Sequence, residues 1–330
     1  MIDLAVTALM LGKPLWMWLA FAGVVAALLA LDLGVLNRKD HVIGVRESLM
    51  LSAFYITLGL AFGGWIWWEL GPQSGLEYVT GFLVEKSLAL DNVFVIASIF
   101  TAFAVPAAYQ HRILFWGVLG VIVLRGLMIG FGAALVAQFE WVLWLFAAFL
   151  IVMGARMFLG HGEPKDPHDS PIYRFLARHL SLTKEFHGSK FLVRQPDAAG
   201  RFALCATPAL MALVMIELAD VIFAVDSVPA IFAITTDPYL VYTSNIFAIL
   251  GLRALYFALA AVVARFAYLK KALAVLLVFI GGKVFVAEAM GWEKFPAPVS
   301  LAITGGLLTA GVVYSLWRTR REQLDAPTGA

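Results

Sequence analysis

Two acidic segments interrupt long apolar runs of the sequence. Their polar residues are Glu85, Asp91 and Asn92 in the first segment and Glu217, Asp220, Asp226 and Ser227 in the second. A charged side chain at the centre of a bilayer costs roughly 2.5–3.5 kcal/mol on insertion scales. We therefore expect these carboxylates to face the protein interior, where a cation between them is the simplest partner.

The side chains of these two segments offer carboxylate, amide and hydroxyl oxygens, without histidine or cysteine. Oxygen ligands favour hard divalent cations such as Mn²⁺, Mg²⁺ or Ca²⁺, whereas softer metals prefer sulfur and imidazole. One divalent ion offsets two carboxylates, and the remaining acids could carry protons when they are shielded from water. Export of a metal in exchange for protons is therefore a natural function for such a site.

The spacing of these residues predicts which of them share a helix face. Glu85 and Asn92 are seven residues apart, as are Asp220 and Ser227, so each pair lies on one face of a regular helix. Glu217, three residues before Asp220, joins the second face. The second segment thus has an extra acid, and we expect it to hold a metal more tightly than the first.

Asp91 and Asp226 point about a third of a turn away from these two faces. They can converge with the other acids only across the helix pair or through local unwinding. Pro229 lies two residues after Ser227 and predicts a break in the helix. Such a break would free backbone carbonyls as further ligands.

Basic residues in the same apolar runs offer a structural alternative, in which ion pairs account for the buried acids. The four residues are Lys86, Arg125, Arg253 and Lys283. Structural pairing does not require acids to recur in both halves of the chain, so ion pairs alone do not explain the pattern. We interpret Arg125 and Arg253 as counter-ions that hold the empty site together, with mobile coupling elements as the alternative. Asp32 is either an entry ligand or a helix-end residue near Arg38.

The composition places this site in a polytopic membrane protein. Of the 330 residues, 62% are hydrophobic and 14% are charged, whereas a soluble domain has about 25% charged residues. Cys205 is the only cysteine, which excludes an intrachain disulfide and a cysteine-based metal site. No nucleophile–base pair, phosphate loop or haem motif is present. We expect a secondary transporter rather than an enzyme, with no prosthetic group and no nucleic-acid partner.

Apolar runs predict an all-α fold with nine transmembrane helices. They lie at about 15–36, 47–69, 77–104, 112–136, 140–159, 204–234, 239–264, 271–290 and 297–317. Lys and Arg are concentrated in alternate connections, so the positive-inside rule places the N-terminus outside and the C-terminus in the cytoplasm. The predicted location is a bacterial inner membrane, with the lipid bilayer as a partner.

A polar insertion at about 160–203 follows the fifth predicted helix. Ser170 and Pro171 predict the start of a short amphipathic helix that extends to about Leu182. Four of the six histidines also lie here: His161, His168, His179 and His187. We interpret the insertion as a basic loop against anionic headgroups, with a regulatory metal site as the alternative.

Predicted helices 3–5 resemble predicted helices 6–8 in sequence. The matching segments are Leu90-Asp91-Asn92-Val93 with Val225-Asp226-Ser227-Val228, Leu124-Arg125 with Leu252-Arg253, and Gly154-Ala-Arg156 with Gly281-Gly-Lys283. Because each copy has three helices, the second must enter from the opposite side, giving an inverted-topology repeat with its site at the midplane. The chain is then one domain, 1–330, with repeats at about 77–159 and 204–290 and with helices 1, 2 and 9 at the periphery.

The two acidic segments, together with Pro229 and the segment from Asn245 to Arg253, resemble the TerC/Alx family of bacterial integral membrane proteins over nearly the whole chain. That family belongs with the LysE-type exporters, is named for tellurium resistance and is associated with manganese export. The resemblance implies metal ligands at Asp91, Asn92, Glu217, Asp220 and Asp226. The residue pattern itself adds Glu85, Ser227 and Asp32 as an additional site or as coupling residues.

The family name makes tellurite the rival substrate, but five carboxylates would repel an oxyanion. We therefore expect Mn²⁺ as the bound substrate. The alternatives are a membrane scaffold or assembly factor in a stress-response complex, and an exporter of Ca²⁺ or of a small solute.

Overall fold

A computed structural model describes residues 9–31, 44–139, 141–159, 170–179, 181–183, 185–196, 202–260, 269–292 and 294–325. Two short strands, β1 (Leu9–Met10) and β2 (Lys13–Pro14), precede helices α1 (Leu15–Leu31) and α2 (Val45–Leu70). The next helices are α3 (Pro72–Ala102), α4 (Ala107–Gln138), α5 (Trp141–Phe158) and α6 (Pro171–His179). Strands β3 (Leu192–Pro196) and β4 (Phe202–Ala206) lead into α7 (Pro208–Phe232), α8 (Pro238–Leu250), α9 (Leu252–Ala260), α10 (Leu269–Ala289) and α11 (Ala297–Asp325).

Seven helical segments of the described chain are long and apolar enough to cross a membrane. They are Arg46–Leu70, Ala107–Gln138, Trp141–Phe158, Pro208–Phe232, Pro238–Phe257, Lys271–Ala289 and Ala297–Thr319. The protein is therefore a polytopic α-helical membrane protein. The two other predicted spans correspond to α1, of which 17 residues are described, and α3, whose sequence includes charged residues such as Glu85 and Lys86.

Proline and polar caps determine where several helices begin. Helices α3, α7 and α8 each start at a proline, whose missing N–H is not needed in the first turn. Thr207 and Asp237 cap α7 and α8 through their side-chain oxygens. The break predicted at Pro229 is absent, because α7 continues through Pro229 to Phe232. Proline removes one backbone donor there without ending the helix.

The seventh predicted helix is divided at Gly251 into α8 and α9. The Nζ atom of Lys86 donates a hydrogen bond of 2.9 Å to the carbonyl oxygen of Ala248, in the last turn of α8. A Cβ atom on Gly251 would lie 2.6 Å from that Nζ atom, so a larger residue would require the ammonium group to move. The positive charge lies at the negative end of the α8 dipole.

The two halves of the bundle make reciprocal contacts. Helix α3 packs on α8, α4 packs on α7, and α5 lies along α10. A Cβ atom on Gly154 would lie 2.6 Å from the carbonyl oxygen of Ala274, and one on Gly281 would lie 2.5 Å from that of Ala147. Each glycine follows the corresponding alanine by seven residues (154 − 147 and 281 − 274). The α5–α10 contact is therefore nearly symmetric.

The polar insertion packs on one end of the bundle, which we call the loop side because α3 ends and α4 begins there. Helix α6 starts at Pro171 as predicted, although it ends at His179 rather than near Leu182. The antiparallel β3–β4 hairpin was not predicted. Tyr173 of α6 contacts the ring of Phe103, with a centroid distance of 5.6 Å, and so attaches the insertion to the end of α3.

The four histidines of the insertion do not decide between its two interpretations. His187 contacts the side chain of Gln195 at 2.8 Å. His161 and His168 lie outside the described residues, as does the side chain of His179. The regulatory metal site therefore stays a prediction.

Candidate functional site

Arg125 lies at the centre of the bundle, with 1% of its surface exposed. Its Nε and Nη2 atoms donate to the two carboxylate oxygens of Asp220, at 3.2 and 3.1 Å. Its Nη1 atom donates to the carboxylate of Glu85, to Ser227 Oγ at 3.1 Å and to Asn245 Oδ1 at 2.6 Å. One guanidinium group therefore joins α3, α7 and α8 to α4.

The two acids around Arg125 come from the two predicted half-sites, although they are 135 residues apart (220 − 85). Glu85 is fully buried and Asp220 is 6% exposed. Both form ion pairs with Arg125. Two carboxylates share one guanidinium, so these three side chains carry a formal charge of −1, and a buried negative charge needs compensation.

Asn245 is the functional candidate that residue spacing did not predict. It is fully buried in α8, accepts from Arg125 and donates through Nδ2 to Glu85 Oε2 at 3.4 Å. The polar run Thr243-Ser244-Asn245 within an apolar helix is the sequence signal that could have identified it. A buried amide needs hydrogen-bond partners, and here they are the site residues themselves.

Two small cavities adjoin the Arg125 centre. One, of about 30 Å³, extends toward the loop side and is lined by Asn92, Asp220 and Phe223 among others. The other, of about 80 Å³, is lined by Glu85, Asn92, Arg125, Met157, Phe223, Ser227, Leu88 and Leu277. Asn92 and Phe223 belong to both linings. Glu85 and Asn92 therefore face the same space, in agreement with their seven-residue spacing.

Glu217 lies about one turn from Asp220, toward the loop side, and does not contact Arg125. Its carboxylate lies against α4 at Gly120, where a Cβ atom would collide with it. Its Oε2 atom is buried without a hydrogen-bond partner in the described part of the chain. An unpaired buried carboxylate oxygen can accept a proton or a cation.

The remaining predicted residues have other neighbours or lie outside the description. Lys86 contacts the Ala248 carbonyl, and Lys283 donates to Ser300 Oγ at 3.0 Å. Neither forms an ion pair with a predicted acid whose side chain is described. Asp32 lies outside the described residues, and so do the side chains of Asp91, Asp226 and Arg253.

Among the described side chains, no three His, Cys, Asp or Glu residues lie close enough together to hold a metal ion. The predicted ligands are therefore only partly brought together. Glu85 and Asp220 meet at Arg125, Asn92 lines the adjoining cavities, and Glu217 stands apart beside Gly120. The acceptors of the centre are all oxygen atoms, which are the ligand type that hard divalent cations prefer.

Comparison with known proteins identifies the family. The model of the "Integral membrane protein TerC family" matches residues 70–323. The chain belongs to the TerC family. The match runs from the last residue of α2 nearly to the end of α11, so it includes every member of the Arg125 network and the insertion. The resemblance inferred from the acidic segments is confirmed.

Several TerC-type relatives match almost the entire chain. An uncharacterized membrane protein of Myxococcus xanthus is 46% identical over 96% of this chain and 97% of its own length. An uncharacterized membrane protein of Rickettsia felis is 44% identical over 91% of this chain and 97% of its own length. The Escherichia coli protein named "Putative membrane-bound redox modulator Alx" is 45% identical over 93% of this chain and 95% of its own length. No solved structure matches the chain.

Proposed function

We propose that this TerC protein exports a divalent metal cation, most readily Mn²⁺, across a bacterial plasma membrane in exchange for protons. The observation that carries the proposal is the meeting of Glu85 and Asp220 at one buried cation. Acids from two distant segments share a single positive charge inside an apolar bundle. Burying these charges costs free energy, which a purely structural role would not offset. The same charges are useful if they bind a mobile cation.

The oxygen atoms at the centre support a hard cation as the substrate. Carboxylate, hydroxyl and amide oxygens surround the guanidinium group, and the same ligand types bind Mn²⁺, Mg²⁺ and Ca²⁺. Asp91 and Asp226 directly precede Asn92 and Ser227 in the chain. We propose that these two acids complete the metal site, and that Glu217 is a proton carrier or an entry ligand on the loop side.

We further propose nine spanning helices, with α3–α5 and α7–α10 as inverted repeats. The reciprocal packing of α3 on α8 and of α4 on α7 supports the repeat, and so do the paired Gly154 and Gly281 contacts. Transporters with inverted repeats bind their substrates at the midplane, between the two halves. The distribution of Lys and Arg supports a cytoplasmic position for the insertion in this proposal.

The loop-side cavity fits a path from the cytoplasm to the centre. It is lined by the loop-side halves of α3, α4 and α7 and reaches Asp220. Glu217 lies beside Gly117, which belongs to the same lining. In this proposal a cation passes Glu217 before it reaches Asp220 and Glu85.

The experiment is metal analysis of cells that depend on this protein for manganese tolerance. We expect Asp220→Asn and Glu85→Gln to raise intracellular manganese, because each removes one charge from the site. The same holds for Asp91→Asn and Asp226→Asn. Glu69→Gln is the matched control, since Glu69 is exposed on α2. Unchanged manganese content in all four variants, at normal protein abundance, would contradict export.

The name of the Escherichia coli relative suggests a redox-linked role as an alternative, and a scaffold without transport is another. Cys205 is the only cysteine of this chain and is buried in β4, so an intrachain dithiol is not available. Purified protein separates these alternatives from export. Reconstituted vesicles should accumulate or release Mn²⁺ if the protein is a transporter, and a panel of Mn²⁺, Mg²⁺ and Ca²⁺ in thermal unfolding should rank the cations.

A further inference from the structure

The environment of Arg125 has the composition of a cation-coordination shell. Five oxygen atoms accept from it: one of Glu85, two of Asp220, and those of Ser227 and Asn245. Three of these acceptors share the Nη1 atom, which has only two hydrogens. Acceptors therefore outnumber the donors on that nitrogen, as expected where oxygens surround a cation rather than a matched hydrogen-bonding partner.

We propose that Arg125 is a tethered cation that occupies the substrate site of the empty transporter and competes with the metal for Glu85, Asp220, Ser227 and Asn245. The inference rests on the proposed function and adds Asn245 to the candidate ligands. A divalent ion binds oxygen ligands of the same kinds, so guanidinium and metal exclude each other from this shell. Metal binding then includes the displacement of Arg125.

The adjoining cavity could accommodate the displaced side chain of Arg125. The cavity of about 80 Å³ is lined by Arg125 itself and by the polar side chains of Glu85, Asn92 and Ser227. Its apolar lining residues are Leu88, Met157, Phe223 and Leu277. Arginine is less strongly hydrated than an ammonium group and tolerates apolar surroundings along its stem. A modest rotation of the side chain would therefore clear the shell for an incoming ion.

The tethered cation also explains how the empty protein could return to its starting conformation after the metal has left. After the metal leaves, Glu85 and Asp220 would be two uncompensated carboxylates in a low-dielectric interior, and a conformational change in that state would be slow. Arg125 returns to the shell and offsets part of this charge. The empty protein can then reset, while the remaining acids carry the protons.

The first test measures Mn²⁺ binding to the purified full-length protein by electron paramagnetic resonance, which distinguishes free from bound ion. Removing the competitor should tighten binding, by about ten-fold in Arg125→Gln. Arg125→Lys should bind several-fold more tightly than the wild type, because lysine is a point charge that cannot span two carboxylates. Arg156→Gln, on the exposed face of α5, should leave the affinity unchanged.

Arg125→Lys keeps the charge and decides the test if Arg125→Gln does not fold. Equal or weaker Mn²⁺ affinity in the folded variants would overturn the competition between Arg125 and metal. A purely structural role predicts that weaker binding, since loss of Arg125 would disorder the shell.

The second test compares two fluxes in reconstituted vesicles. Exchange of Mn²⁺ for Mn²⁺ never requires the empty protein to reset, whereas net efflux does. We expect Arg125→Gln to retain exchange within about two-fold while net efflux falls about ten-fold. Arg125→Lys keeps the charge, so its net efflux should fall less than that of Arg125→Gln, again with exchange retained. Parallel loss of both fluxes would overturn the role of Arg125. A wild-type protein that neither binds nor exchanges Mn²⁺ would instead overturn the proposed function.

Discussion

Two of the contacts between the N-terminal and C-terminal halves of the helical bundle differ in chemistry. At the centre, α3 and α4 meet α7 and α8 through the side chain of Arg125 and its oxygen acceptors. Between α5 and α10, backbone approaches backbone at Gly154 and Gly281. A side-chain contact can be exchanged for another ligand, whereas a close backbone contact cannot. The comparison indicates a movable centre beside a fixed helix pair.

The largest effect is expected from removal of Arg125 in the absence of metal. Arg125→Met leaves two buried carboxylates without their cation, which should lower the free energy of unfolding by about 3–5 kcal/mol. Thermal and denaturant-induced unfolding of the detergent-solubilised protein measures this loss. Adding Asp220→Asn to the same chain should restore part of it, because one buried charge is then removed.

The exposed Arg156→Met is the control for Arg125→Met and should change the free energy of unfolding by less than about 0.5 kcal/mol. A similar small change in Arg125→Met would mean that the centre is solvated and that its ion pairs contribute little.

The next effect concerns the fixed helix pair. Gly281→Ala and Gly154→Ala should each destabilise the protein by about 1–3 kcal/mol, since the new methyl group meets a carbonyl oxygen of the opposite helix. The two losses should be similar, because the contacts are nearly symmetric. Gly282→Ala is the matched control, as a Cβ atom there meets nothing within 4 Å. Unequal losses would argue against a symmetric α5–α10 contact.

A smaller effect on stability, with a distinct effect on binding, is expected at Gly120. The new Cβ atom of Gly120→Ala would displace the carboxylate of Glu217, the end of a flexible side chain. We expect the free energy of unfolding to change by less than about 1 kcal/mol, while Mn²⁺ affinity falls several-fold. Gly130→Ala lies on the same helix in open space and serves as control. Unaltered affinity would exclude Glu217 from the metal path.

The smallest effect is expected at the partly exposed ion pair of Lys13 and Asp237. Their side chains approach to 2.8 Å but are 19% and 23% exposed. Lys13→Gln should lower the free energy of unfolding by no more than about 1 kcal/mol. The loss should shrink further in high salt, because screening weakens exposed pairs. A loss as large as that of Arg125→Met would show that burial does not distinguish the two pairs.

Residue types and spacing predicted the helical membrane architecture and the convergence of Glu85 with Asp220. Apolar length and buried charge are strong signals, since a bilayer imposes a large free-energy difference between burial and exposure. The hairpin of β3 and β4 was missed because its strands are short and β4 is apolar. Residues 204–206 were assigned to the start of the sixth predicted helix, which begins only at Pro208. The break at Gly251 was not predicted, and the Lys86 ammonium that lies against it comes from a helix more than 160 residues away (251 − 86).

The contacts that Arg125 makes with both Glu85 and Asp220 could also not be predicted from residue spacing. Helical spacing places Glu85 with Asn92 and Asp220 with Ser227, but only tertiary packing determines which basic side chain reaches both faces. Arg125 and Arg253 were predicted as counter-ions, but residue spacing alone did not show which acids either of them would contact. Lys86 donates to a carbonyl oxygen in the last turn of α8, whereas Arg125 forms the ion pairs with Glu85 and Asp220.

The charges of α3 have a consequence for biosynthesis. This helix is 31 residues long, yet Glu85, Lys86 and Asp91 make it too polar to enter a bilayer readily alone. Its best early partner is Arg125 of α4, the next helix to leave the ribosome, whereas Asp220 follows much later. We expect a nascent chain that ends after α3 to be poorly inserted and one that includes α4 to be retained. Membrane integration of truncated chains, with and without Arg125→Met, would show whether a residue of the transport site also helps its neighbour to enter the membrane.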